Sequence, residues 1–216
     1  MWKYSVNENY FSELSPENCY WGGLLASDGW LYNNNNNIGL RLSDTEHIDS
    51  FKSYVGYTGP VREGVNIKQD GSLGKSYKEI RVSCRKWKQD LNQHFNITPN
   101  KTYTLSPPNI EEEKHVVSYL VGLVDGDGSV ITHKQTGNTI IRFLGTEILL
   151  NWVKNWVDFL VPSKGTTSAT VRQHKPDCEF LRRYEISGRR STEFFSLVEP
   201  LGVPYMKRKW NKLASF

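Results

Sequence analysis

Apolar positions along this chain change period in a repeating order, and the changes mark out its elements. A run ending in "GGLLASDGW", Gly22 to Trp30, predicts a helix that Ser15 can cap, with Pro16 at the first position and Asp28-Gly29 as its stop. Alternation then predicts strands at Trp30 to Tyr32 and Gly39 to Ser43, with the asparagine run Asn33 to Asn37 as a hairpin turn. Ile48, Phe51 and Val55 recur at helical spacing behind a cap candidate, Asp44. The stretch Glu79 to Arg85 puts Ile80, Val82 and Cys84 on one strand face and Glu79, Arg81, Ser83 and Arg85 on the other. Trp87, Leu91 and Phe95 predict a closing helix.

The same landmarks return in the same order, as in a tandem duplication. "YWGGLLASDG" (Tyr20 to Gly29) aligns without gaps on "YLVGLVDGDG" (Tyr119 to Gly128). "LRLSDTE" (Leu40 to Glu46) meets "IRFLGTE" (Ile141 to Glu147), pairing Arg41 with Arg142. "RVSCRKW" (Arg81 to Trp87) meets "EISGRRS" (Glu185 to Ser191), and "NITPNKT" near Lys101 resembles "GVPYMKR" near Lys207. Each half therefore predicts helix, two strands, helix, two strands, helix. The expected class is α+β: two pseudo-symmetric αββαββα domains, 1-97 and 111-216, joined by a linker, 98-110, rich in Pro and Thr. Glu111 to Glu113 suit the first turn of the helix that follows the linker.

Composition narrows the function classes. With 27 Lys and Arg against 23 Asp and Glu, the net charge of +4 allows a polyanionic partner without demanding one. Cys19, Cys84 and Cys178 are odd in number and lack C-x-x-C spacing, against a disulfide frame or structural zinc. No apolar run reaches about 18 residues and no basic-then-apolar leader opens the chain, so the expectation is an intracellular protein, in cytoplasm or organelle matrix, away from membranes. "GSLGKS" (Gly71 to Ser76) ends like a phosphate loop, but its first glycine stands too close to Gly74-Lys75. The five histidines have no metal-ligand spacing.

The two ten-residue segments, with Asp28 and Asp127 at matching positions, resemble the signature of LAGLIDADG homing endonucleases, in the single-chain form with two motifs. The resemblance covers nearly the whole chain. It implies antiparallel sheets forming a saddle, with the motif helices at the domain interface. Gly22, Gly23 and Gly122 would let those helices approach closely, bringing Asp28 and Asp127 together below the joint. Paired carboxylates repel, and a hard divalent cation relieves that cost. The implied ion is Mg²⁺, with Mn²⁺ expected to substitute and Ca²⁺ to bind without supporting cleavage. Similarity to the family adds the main-chain carbonyls of Ser27 and Gly126 as metal ligands. Lys101 and Lys207 resemble its basic residues beside the scissile phosphate, with Lys209 a rival to Lys207. The first motif has Ala26 where the second has Asp125, a position that is not the family's metal-binding one.

DNA recognition would then fall to the solvent faces of the sheets. Taking alternate residues gives Trp30, Tyr32, Arg41, Asn66, Lys68, Arg81 and Ser83 in one half. The other half offers Ser129, His133, Arg142, Arg172, His174, Arg183 and Glu185. Two such domains end to end would cover roughly 20 base pairs of double-stranded DNA. The reading is an intron-encoded, monomeric, site-specific double-strand DNA endonuclease with a long asymmetric target. The alternatives are a maturase binding intron RNA on the same scaffold, or a catalytically inactive DNA-binding regulator; aspartates in both motifs weigh against the latter.

Overall fold

A computed structural model describes residues 4–164 and 169–213; the outer domain limits at 1 and 216 lie outside that range. The first half runs α1 (Pro16–Ser27), β1 (Gly29–Leu31), β2 (Asn37–Leu42), α2 (Thr45–Tyr54), β3 (Val61–Ile67), β4 (Leu73–Ser83) and α3 (Arg85–Phe95). The second runs α4 (Glu113–Asp125), β5 (Ser129–Thr132), β6 (Thr139–Gly145), α5 (Glu147–Leu160), β7 (Arg172–Lys175), β8 (Cys178–Ser187) and α6 (Arg189–Val198). Each half forms a four-stranded antiparallel sheet, in the orders β1-β2-β4-β3 and β5-β6-β8-β7. Three short elements were not foreseen: the 3-10 turns Lys101–Tyr103 and Glu199–Leu201, and the one-turn helix α7 (Lys207–Trp210). They are too short to leave a periodic signal.

Local chemistry sets the boundaries. Ser15 Oγ accepts from the Asn18 amide while Asn18 Oδ1 accepts from the Ser15 amide, a capping box with asparagine in the usual Glu/Gln position. Cys84 is not the last strand residue; its Sγ accepts from the Trp87 amide as the N-cap of α3, and Arg85 opens that helix. Asn96 ends α3 in the left-handed region at φ 53°. Asp44 does precede α2, but its carboxylate pairs with Arg208 of the other half and makes no cap bond.

α1 and α4 make the most extensive contact between helices, at the centre of the molecule. A Cβ on Gly23 would stand 2.1 Å from the Tyr119 carbonyl oxygen, and one on Gly122 2.1 Å from that of Tyr20. Backbone meets backbone there, so only glycine fits. Gly22 instead faces the Phe95 ring of α3. Residues 18–26 are all buried, between the partner helix and the core of their own half, which accounts for an apolar segment without an exposed stripe.

Counted from the motif, β1, β2 and β4 pair in the same register as β5, β6 and β8. Trp30 pairs with Gly39, and Ser129, its counterpart in the repeat, pairs with Arg142, so Gly39 and not Arg41 is the spatial counterpart of Arg142; Gly39 lies opposite Arg81, and Arg142 opposite Glu185. Arg81 and Glu185 each stand four residues before the next helix, which starts at Arg85 in the first half and at Arg189 in the second. The ungapped match of Arg81–Trp87 to Glu185–Ser191 therefore keeps the strand register, and the match of Arg41 to Arg142 is two residues out.

Candidate active site

The C-terminal ends of α1 and α4 bring the two motifs together. Asp28 Oδ2 stands 3.4 Å from where a Cβ of Gly126 would lie, and such a Cβ would overlap the Ser27 Oγ at 1.9 Å. Burial pushes the Asp28 carboxyl up to about 6, helped by the charge of Asp127 and opposed by Lys209 and Lys101. Burial also raises Asp127, against the same two lysines. Two carboxylates, at least one in the other's field, and two ammonium groups acting on both form a charge cluster at the joint.

Lys101 and Lys209 are both buried to 7% exposure. Lys101 Nζ donates to the Ser27 carbonyl at 2.9 Å. Lys209 Nζ lies 2.7 Å from the carbonyl oxygens of Val124 and Asp125, 3.1 Å from that of Gly126 and 2.9 Å from that of Gly128. Lys207 is exposed on the outer side of α7, so the position it was expected to share with Lys101 is filled by Lys209. A one-turn helix decides this, because it turns residues two apart to different sides. Each carbonyl expected to ligate metal, Ser27 and Gly126, thus accepts from a lysine.

Behind this cluster sits Asp125, almost fully buried. Its oxygens accept from Tyr20 Oη (2.8 Å), the Met206 amide (2.7 Å) and Trp210 Nε1 (2.8 Å). Burial nonetheless lifts its carboxyl to about 6. Since the Tyr20 hydroxyl proton goes to Asp125, His47 Nε2 must supply the hydrogen shared with Tyr20 Oη. Tyr119, the counterpart of Tyr20 in the repeat, packs on the rings of Phe95 and Trp152, and its buried hydroxyl has no partner among the described residues.

The sheet faces away from the helices gather most of the proposed recognition residues. Trp30 lies over Gly39, whose Cβ would meet the indole at 2.2 Å. Gly39, Arg41, Glu79, Arg81 and Ser83 share that face by register. Glu79 is 2% exposed because Arg41 and Arg81 both pair with it, and the Arg41 guanidinium stacks 4.3 Å from the Tyr77 ring centroid. Tyr32 continues the face beyond β1. Strict alternation fails for Asn66 and Lys68: a register irregularity falls at Asn66, and Lys68 lies in the following turn, both exposed. In the second sheet Ser129, Arg142, Glu185, Arg183 and Arg172 share one face, with Arg142 Nε bonded to Glu185. His133 extends it past β5, and His174 falls at the β7 irregularity, its pKa lowered by burial and then by Arg142, Lys175 and Arg183. Sequence reading omitted Arg62, which lies opposite Glu79, and Lys75 and Tyr77, which alternate with it. Counting back from Glu79 in steps of two would have found the last two.

No protein-family model and no curated protein matches the chain. Solved structures do. The homing endonuclease I-WcaI bound to its DNA recognition sequence superposes with a TM-score of 0.60 at 12% identity, over 95% of this chain and 91% of that one. I-DmoI in complex with its target DNA in the presence of Mn gives 0.53 at 15%, over 90% and 97%. The N-terminal LAGLIDADG domain of DUF199/WhiA gives 0.50 at 13%, over 97% and 88%. At such identities the likeness establishes the fold.

Proposed function

From the two-domain LAGLIDADG fold of this chain we propose that it is a site-specific double-strand DNA endonuclease, acting as a monomer on a long asymmetric target. The observation behind the reading is the convergence of Asp28 and Asp127, one from each motif, at the joint between two sheets whose outer faces carry arginine, histidine and aromatic side chains. The same fold occurs in DUF199/WhiA, so fold alone does not decide cleavage; the paired aspartates argue for it.

The donors are all oxygen: two carboxylates and the Ser27 and Gly126 carbonyls. That set fits a hard cation such as Mg²⁺ or Mn²⁺, which takes one or two carboxylates together with substrate phosphate. When bound, the ion supplies Lewis acidity toward the attacking water and the leaving 3′ oxygen. The chain's own residues do the rest. Asp28 and Asp127 hold positive charge at the joint, Lys101 adds an ammonium beside them, and the α1–α4 glycine contact fixes their separation. The sheets orient the duplex, with Arg41, Arg81 and Arg142 prepositioned by their glutamates to reach base edges.

Asp28→Asn and Asp127→Asn preserve size while removing the charge that holds the cation. After a target is selected from a randomised DNA pool with Mg²⁺, each variant should still bind it and melt near wild type, yet lose most cutting of both strands. Undiminished double-strand cutting of a supercoiled plasmid by the double variant would overturn the assignment.

A further inference from the structure

We propose that the two lysines of the carboxylate cluster are unequal: Lys209 is fixed as the C-terminal cap of α4, and Lys101 is the ammonium left free to meet a substrate phosphate. The inference rests on the nuclease reading for the phosphate and on hydrogen bonding for the inequality.

An ammonium has three protons. Lys209 Nζ lies within hydrogen-bond distance of four carbonyl oxygens, those of Val124, Asp125, Gly126 and Gly128, so its donors are all committed. Those oxygens include C-terminal carbonyls of α4 that have no amide partner within the helix, and withdrawing the lysine would leave them buried and unmet. Its element is pinned as well. Asp125 binds the Met206 amide and Trp210 Nε1 on either side of Lys209, and Arg208 reaches across to Asp44 of the first half. Lys101 makes one hydrogen bond among the described residues, to Ser27, which leaves two protons uncommitted. Beyond it, the charges acting on it are Asp127 and Asp28. It also lines a cleft of about 380 Å³ with Trp30, Tyr32 and Asn100, on the side of the proposed DNA face.

The asymmetry follows from one pair of motif positions. Asp125 anchors α7, whereas its counterpart Ala26 offers nothing to hold the turn that carries Lys101, and Tyr119 is left with a buried hydroxyl and no acceptor among the described residues. A pseudo-symmetric helix pair thereby delivers one rigid and one available ammonium.

Three measurements on the full chain test this. In wild type, acetylation by an N-hydroxysuccinimide ester, read by mass spectrometry, should modify Lys101 at least about tenfold faster than Lys209. Lys209→Met should melt several degrees below wild type, or fail to fold, while Lys101→Met should melt within about two degrees of it. On a strand-labelled plasmid carrying the selected target, Lys101→Met should slow one strand at least about tenfold more than the other, so that nicked circles accumulate. Equal acetylation of the two lysines, equal melting of the two variants, or equal slowing of both strands by Lys101→Met would each overturn the proposal. If wild type cuts no DNA, the nuclease reading falls instead, while acetylation and melting still decide whether the lysines differ.

Discussion

Tyr20 and Tyr119 occupy the same repeat position in chemically different surroundings. Tyr20 donates to a buried carboxylate, and Tyr119 buries a hydroxyl without a partner among the described residues. Tyr20→Phe should therefore cost about 1–3 kcal/mol, because Asp125 loses a donor. Tyr119→Phe should be neutral or stabilise by about 1 kcal/mol, since it removes an unmet polar group. Urea unfolding of the two variants would show the contrast, and equal losses would contradict it. His47, which bonds Tyr20, gives a dependence on pH. Burial pulls its pKa from 6.5 down to about 4, with Asp44 opposing and Arg208 assisting. Between those values the unfolded chain holds the proton and the folded one does not, so stability present above about pH 6.5 is lost as pH falls toward 4. The full difference is on the order of 3 kcal/mol. Unfolding midpoints followed from pH 7 to 4.5 should fall less steeply for His47→Gln than for wild type; parallel curves would refute the account.

For the elements, the contact between α1 and α4 is the joint on which the site depends. Gly23→Ala or Gly122→Ala would drive a Cβ into a carbonyl oxygen of the partner helix, where neither backbone can yield without separating the helices. Each should cost at least about 3 kcal/mol, above the usual range for overpacking. Gly22→Ala meets the buried Phe95 ring at 2.7 Å, a side chain and not a backbone, so a smaller cost of about 1–3 kcal/mol is expected, offset in part by its gain in helix propensity. Thermal melts of the three variants rank these costs, and a Gly22 variant as unstable as the others would disprove the assignment of faces. Helix starts, strand faces and turns were legible because each depends on neighbours: Ser15 with Asn18, or Ile80 with Val82. The register irregularities in β3 and β7 were not, because a bulge depends on the partner strand.

Across the whole molecule the net charge is only +4, but exposed cations stand on the outer sheet faces. Lys68, Lys75 and Arg172 are exposed on or beside the recognition faces, although Arg41 and Arg81 share Glu79, and Arg142 pairs with Glu185. DNA affinity should fall steeply with salt, at a slope equivalent to several phosphates neutralised. A slope of less than about two phosphates, measured by fluorescence anisotropy from 50 to 300 mM salt, would exclude this surface.

The sequence by itself determined the duplication, the seven-element order of each half and the pairing of Asp28 with Asp127. Each of these is written in local periodicity or in a repeated motif, and survives whatever the halves do to one another. Tertiary structure alone decided which lysine joins the site. Lys207 and Lys209 are both polar residues in one short basic run, and only the packing of Trp210 and Met206 on Asp125 turns Lys209 inward. It likewise decided that Gly39 and not Arg41 matches Arg142, because a difference in hairpin length is invisible until the strands pair. A hydrogen bond between residues 85 apart in the chain, such as that of Trp210 to Asp125, has no local periodicity from which to read it.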